Sequence, residues 1–408
     1  MSLPERPQLR PCFTVVPQDD HGLSFLLWDQ LRLSDRAVRV SRAELQWLRL
    51  FDGRHTLRDI QAKALPHVGG ARVPLETVTR LAEQLDGAFL LDGPRFQERL
   101  RASAAGPVRP PACLASYEPE PGPLRRQLDR LFTGPGGPGK PRECRPDDAF
   151  RAALVPHIDY GRGGTSYAWA FKEVFERSPA ELFVIVGTSH YSGHRFTLTR
   201  KHFQTPLGIA RTDQDYIDRL GRHYGDGLFA DELLAHLPEH SIELEVVFLQ
   251  YLYDGRRPIR IVPLVVGSFA DCVQGGKGPG DCDDVGRMVE ALRAAERETP
   301  GPVCYLISGD LAHLGPKFHD PEPVTAGQLA HSRRQDHALI GRAEVADAAG
   351  YFEVIADEDD RRRICGLPPT WTVLEALRPA GGKLLHYDQY VHPRGQESVS
   401  FASMAFYR

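Results

Sequence analysis

The chain has 408 residues, is 41% hydrophobic and 25% charged, and carries 50 basic against 54 acidic residues for a formal net charge of −4. This is the balance of a globular protein long enough for two or three cores, with no basic surplus for nucleic acid and no like-charge tail. The stretch Met1 to Pro7 holds no apolar secretion signal, and no apolar run reaches the roughly 18–20 residues of a membrane helix, so a cytoplasmic protein away from membranes is expected.

In chain order, Phe13 to Val16 and Ser24 to Trp28 read as strands about a turn at Asp19-Asp20-His21-Gly22. Ser41-Arg-Ala-Glu44 is a capping box ahead of Leu45, Trp47, Leu48, Leu50 and Phe51, and Thr56-Leu-Arg-Asp59 opens a second helix in the same way. Pro74 opens a third with Leu75, Val78, Leu81 and Leu85 on one face, and residues 88–92 read as a strand. Residues 1–101 are therefore expected to form a small α+β winged-helix-like module. This segment resembles the PqqD-like domains that bind peptides or partners; a structural or oligomerisation role is the plainer alternative. Residues 102–112, rich in Ala, Pro and Gly, read as a linker to a domain over 113–408.

From 151 onward strands and helices alternate. The pattern predicts strands over 151–156, 182–187, 259–266, 303–308, 384–391 and 398–407, the last two as a hairpin. Helices are predicted over 164–177, 212–223, 239–253, 283–297, 326–341, 344–356 and 368–377. The fold class is α/β, a mixed and largely parallel sheet flanked by helices. The glycine-rich run 275–280 reads as a mobile surface insertion. Gly161-Arg-Gly-Gly164 reads as a packing turn or an anion-binding helix start.

Three short apolar runs, the mark of strands buried on both faces, end at polar residues: His157, His190, and Asp310 followed by His313. Ligands bind outside the carboxyl ends of strands in open α/β sheets, and imidazole binds Fe, Zn, Cu and Ni. Each histidine alone is explained as well by a helix cap or a backbone hydrogen bond; together they favour a joint site. His240 falls in the first turn of the helix predicted to open at Glu239, where Glu239 and Glu243 would share a face or simply complement the helix dipole. Seven cysteines without CxxC spacing argue against a disulfide framework. Cys365, just before a proline-started helix, stands in the setting that best suits a thiolate.

Five patterns then recur in order from about residue 112 to 408. Pro156-His157-Ile-Asp-Tyr160 resembles P-H-A-G-Y, and Gly187-Thr-Ser-His190 resembles G-P-S-H. Glu239-His240-Ser-Ile-Glu243 matches E-H-S-[IL]-E, Ser308-Gly-Asp310-Leu-Ala-His313 resembles S-S-D-x-x-H, and Ile364-Cys365-Gly366 matches I-C-G. This stretch is similar to the Memo family, called AmmeMemoRadiSam system protein B in prokaryotes. The resemblance implies a fold like that of class III extradiol dioxygenases, which hold Fe(II) with two histidines and a glutamate. It implies that His157, His190 and Cys365 bind one mononuclear metal, Fe(II) first and Cu or Zn as alternatives, with His240, Asp310 and His313 around it as catalytic groups. Asp159 stands where the family has glycine and adds a carboxylate that is a further ligand, a partner for His157 or an acid/base.

The expected function is an Fe(II)-dependent oxygenase or related oxidoreductase acting on a small molecule or peptide, with His240 and His313 moving protons. The alternative is a non-catalytic iron- or copper-binding protein that recruits a partner such as a radical SAM protein or AmmeMemoRadiSam system protein A. A Zn-dependent hydrolase ranks below both.

Overall fold

A computed structural model describes residues 3–10, 13–18, 21–31, 33–34, 36–64 and 73–408. It divides into two compact units, Met1–Gly106 and Pro107–Arg408.

In the first unit β1 (Phe13–Pro17), β2 (Ser24–Asp29) and β3 (Val38–Ser41) form an antiparallel sheet in that order. Among the described residues four α-helices follow: α1 (Arg42–Trp47), α2 (Leu57–Ala64), α3 (Leu75–Gly87) and α4 (Pro94–Ala105). The Ser41 capping box forms as expected: Ser41 Oγ accepts from the Glu44 N–H (3.3 Å) and the Glu44 carboxylate accepts from the Ser41 N–H (2.8 Å). Thr56 and Asp59 repeat it before α2. Leu27, Trp47, Phe51, Ile60, Val78, Leu81 and Leu85 share one core. The strand expected over 88–92 is reduced to a single bridge between Leu9 and Leu91, because Phe89 turns into the left-handed region (φ 58°). The stretch expected as a linker is helix through Ala105 and pairs as a strand at Val108–Arg109. Asp19 and Asp20 of the expected hairpin turn lie outside the described residues.

The second unit begins with β4 (Val108–Arg109), α5 (Pro121–Thr133), β5 (Phe150–Val155), α6 (Tyr160–Arg177) and β6 (Leu182–Thr188). Next come β7 (Phe196–Leu198), β8 (His202–Thr205), β9 (Gly208–Thr212), α7 (Gln214–Tyr224), α8 (Glu232–His236) and α9 (Glu243–Tyr253). The middle is β10 (Arg260–Val266), α10 (Ala270–Gly275), α11 (Asp283–Arg297), β11 (Val303–Ser308) and β12 (His313–Leu314). The chain closes with α12 (Ala326–Glu344), α13 (Ala348–Ala356), α14 (Leu367–Leu377), β13 (Gly381–Val391) and β14 (Ser398–Tyr407).

These strands make one mixed sheet ordered β12-β14-β5-β11-β6-β10-β9-β8-β4, with β13 on β14 and β7 on β10. Its centre, β5-β11-β6-β10, is parallel, and β13 and β14 pair antiparallel as expected. Alternate strand residues serve two cores. Leu154, Val184, Val186, Tyr305 and Ile307 face α7, α11 and α14. Ala153, Val155, Phe183, Ile185 and Leu306 face α5, α6 and α9. Burial on both faces explains why these strands read as continuous apolar runs.

In register, Ser308 lies opposite both Val155 and Gly187, so β5, β11 and β6 end level with one another. The loops that leave this edge carry His157, Asp310 and His190.

Candidate metal centre

His157 is 2% exposed. Its Nε2 lies 3.1 Å from Cys365 Sγ and 3.8 Å from Asp310 Oδ2, and its backbone N–H donates to Asp310 Oδ1 (3.0 Å). Its Nδ1 lies 3.4 Å from Ser308 Oγ. That hydroxyl already donates to the Ser241 carbonyl (2.6 Å), so toward His157 it accepts. The ring proton therefore sits on Nδ1 and the lone pair on Nε2.

His190 is held in the same tautomer by Glu239, which accepts from its Nδ1–H (3.0 Å) and its backbone N–H (2.8 Å). Glu239 also accepts from the backbone N–H groups of His240 (2.9 Å) and Ser241 (3.0 Å). The His190 and His240 rings stack at 4.6 Å, and each centroid is 5.1 Å from that of His157. A carboxylate or hydroxyl on Nδ1 that leaves Nε2 free is the usual support of a metal-binding histidine.

Cys365 comes from a loop far along the chain, and two glycines let it in. Gly366 donates its N–H to the Asp310 carbonyl (2.9 Å), while Thr188 Oγ donates to the Cys365 carbonyl (2.7 Å). A Cβ on Gly309 would stand 2.5 Å from Gly366 Cα, and one on Gly366 would stand 2.6 Å from the Asp310 carbonyl oxygen. Any side chain at either place would hold the Cys365 loop away from β11.

At this sheet edge the possible ligand atoms of the described residues fall into two groups, each within 4.8 Å: His157, His190 and His240, and His157, Asp310 and Cys365. The set expected from the sequence, His157, His190 and Cys365, draws on both, with His157 common to the two. Three crowded imidazoles, that of His157 buried, beside a thiol fit a transition metal: nitrogen and sulfur donors are what Fe, Cu and Zn take.

Two expected catalytic residues stand apart from these groups. His313 turns its Nδ1 to the carbonyls of Leu311 (3.1 Å) and Arg363 (3.0 Å), which makes Nδ1 the donor and leaves Nε2 as an acceptor. Asp159 caps α6, accepting from the Arg162 N–H (3.1 Å) and pairing with the Arg162 guanidinium, which also holds Glu397. Arg162 and the helix start thus take up the carboxylate that was expected as a ligand or acid/base. The neighbouring glycine run is not a turn but lies within the start of α6, where Gly163 and Gly164 pack closely against Ile158 and Leu131.

Burial dominates the electrostatics. It pushes His157 well below the usual imidazole range, reinforced by positive charge on His190 and His240. Burial likewise brings His240 and His313 down to about 4, so both are neutral near pH 7 rather than poised to titrate there as expected. Burial also opposes charge on His190, but the Glu239 carboxylate outweighs it and raises the ring above its ordinary value. For Glu239 burial works against the charged form too, and His190 overrides it. Burial lifts Asp310 to about 7 and, with the Asp310 charge, drives the Cys365 thiol far up. A bound cation works against this last tendency by favouring the thiolate.

Glu239, Ser308 and Gly309 are the residues that sequence reasoning did not single out for the centre. Helix α9 starts at Glu243, not at Glu239, so the two glutamates share no helical face. Glu239 turns to His190. Glu243 is buried with Arg109 and Tyr117 and accepts from the Ala112 N–H (2.8 Å), fixing the segment that leads into this unit. The signal for Glu239 was its place beside His240 in a stretch with too few apolar residues before Ile242 to begin a helix.

Among the described residues no helix is long and apolar enough to cross a membrane. The Memo-like protein family model matches residues 109–405. A MEMO1 family protein of Aquifex aeolicus is 26% identical over 410 residues, covering 98% of this chain and all of its own length, so the likeness extends through the first unit. MEMO1 family protein TK1477 of Thermococcus kodakarensis is 30% identical across 74% of this chain and all of its own length. MEMO1 family protein MK0963 of Methanopyrus kandleri is 28% identical across 74% of this chain. With the family match spanning nearly all of the sheet and every residue of the two ligand groups, the chain belongs to the Memo family.

Proposed function

We propose that the second unit holds one transition-metal ion, Fe(II) in the first place, through His157, His190 and Cys365, and serves an oxygenase or related oxidoreductase. The observation that carries this reading is the pair of imidazoles with Nδ1 anchored, one of them 3.1 Å from a thiol. Bound Fe(II) would supply electrons to dioxygen. The protein's own part is to orient the donors through Glu239 and Ser308 and to offer His240 and the Nε2 of His313 as neutral proton acceptors beside the substrate. Asp310 keeps the loop of His157 against that of Cys365.

Element analysis of protein purified without added metal tests the site. One equivalent of iron, lost in Cys365→Ala, is expected; metal content unchanged by that substitution would exclude the thiol as a ligand. Iron-loaded protein prepared without oxygen should then consume O₂ with a phenolic or other reduced substrate, and no uptake across a broad set would sink the oxygenase reading.

A second reading, metal handling without turnover, is favoured by the thiol itself, since sulfur beside oxygen chemistry is readily oxidised. On this reading the first unit, winged-helix-like or PqqD-like, recruits a peptide, a radical SAM protein or AmmeMemoRadiSam system protein A. Affinity capture with the full chain, compared with residues 107–408, should retain such a partner only when the first unit is present.

A further inference from the structure

We propose that Cys272 and Cys282 are a dithiol site, distinct from the metal centre, that closes to a disulfide by exchange with a low-molecular-weight disulfide. Their sulfurs lie 3.3 Å apart. Cys272, in α10 just past the carboxyl end of β10, is 1% exposed, whereas Cys282, the residue preceding α11, is partly exposed. The pair thus has one thiol that solvent can reach and one that only its neighbour can. A disulfide needs about 2.05 Å between sulfurs, an approach of roughly 1.2 Å. The connecting run 275–280 can supply it. Gly276 is left-handed (φ 62°), and a Cβ on Gly275 or Gly276 would meet nothing within 4 Å.

A metal is the competing occupant, because the Asp271 carboxylate lies within 4.8 Å of both sulfurs. Both of its oxygens are taken by Arg195, Oδ1 by Nη1 (2.9 Å) and Oδ2 by Nη2 (2.6 Å). That leaves two sulfurs and a carboxylate already neutralised by a guanidinium, short of the four donors of a structural zinc site. Burial, with the Cys282 thiol beside it, pushes Cys272 up to about 12, so Cys272 is suited to the second step rather than the first.

In the first step the Cys282 sulfur attacks one sulfur of the small disulfide, giving a mixed disulfide and releasing one small thiol that carries off the Cys282 proton. In the second, the Cys272 sulfur attacks the Cys282 sulfur and releases a second small thiol with the Cys272 proton. The protein pair loses two electrons and two protons, and the small disulfide gains them. The closed bond would brace Trp371. Its ring packs edge-on against Phe269 (centroids 6.1 Å apart), and Gly280 lies against it. Trp371 belongs to α14, the helix that follows Cys365.

The full chain, equilibrated with glutathione buffers from fully reduced to fully oxidised and then alkylated, is read by intact mass and peptide mapping. The expected result is a loss of two hydrogens and one linked peptide pair holding residues 272 and 282, reversed by a reducing thiol. Cys282→Ser, at a partly exposed position, should abolish the link without opening the core. Cys272→Ser should stop at a mixed disulfide on Cys282. Cys365→Ala should keep the link, which separates this proposal from the fate of the metal centre. Full alkylation of both thiols in the most oxidised buffer would overturn the proposal. So would stoichiometric Zn²⁺ binding by Cys365→Ala protein that is lost on adding Cys282→Ser, which would make the pair a metal clamp.

Discussion

Glu239 is buried with a negative charge and four N–H groups directed at it, three of them from the backbone. Its effect on the centre is electronic as well as positional, because it makes the His190 ring a better donor. Glu239→Gln keeps the size and removes the charge. Metal affinity, measured by chelator competition, should fall by roughly 10- to 100-fold, as for other partners of metal-binding histidines. An unchanged affinity would remove His190 from the ligand set. The same residue shows where sequence reading stops. The residue type and position were visible, but whether a glutamate at a helix start complements the dipole or reaches back to a histidine depends on where the helix begins, and that boundary was four residues off.

At the scale of elements, the centre depends on the approach of two loops through Gly309 and Gly366. Gly366→Ala is expected to destabilise the second unit by about 1–3 kcal/mol, the usual cost of overpacking, and to lose metal out of proportion to the loss of fold. Denaturant unfolding and metal content on the same sample check this. Retained metal at full occupancy would show that the Cys365 loop tolerates displacement. The central strands and the long helices of this unit were legible because apolar runs and capped periodic stretches each have one local solution. The short pieces β7, β8, β9 and α8 were not, since strands and helices of three to five residues carry too little pattern. Helix α4 was hidden for a different reason: its alanines continue into Gly106-Pro107, and the composition of the whole stretch resembles a linker. The loops of the candidate centre were legible as sites because the strand ends announce them, whereas the glycine contact that brings Cys365 home is tertiary.

For the whole molecule, buried histidines contribute to the response to acid. His236 is buried, its Nε2 on the Thr197 carbonyl (3.1 Å), and burial lowers it to about 4. The folded protein holds it neutral while an unfolded histidine binds a proton below about 6.5. Its contribution is therefore complete above pH 6.5 and is lost as pH falls toward 4, by roughly 3 kcal/mol in all. His240 and His313 act in the same direction when no metal is bound. Asp310, lifted to about 7, and His190, raised by Glu239, act the other way, so the test is the difference between parent and variant: from pH 7.5 to 4.5 the urea midpoint of the parent should lose ground relative to that of His236→Gln, and identical slopes would exonerate His236.

The N–H groups gathered on Glu239 come from two loops, one leaving β6 and one entering α9. Because a single carboxylate joins them, the spacing between His190 and His240 is settled when the chain folds and not when an ion arrives. On the proposed reading, an ion meeting this edge would find His190 already oriented and His240 fixed beside it, so little ordering would remain to oppose its binding. If His190 is a ligand as proposed, a buried anion that fixes it in advance would act as a gauge: the centre would admit ions of matching reach quickly and give poorly matched ones no room to adapt.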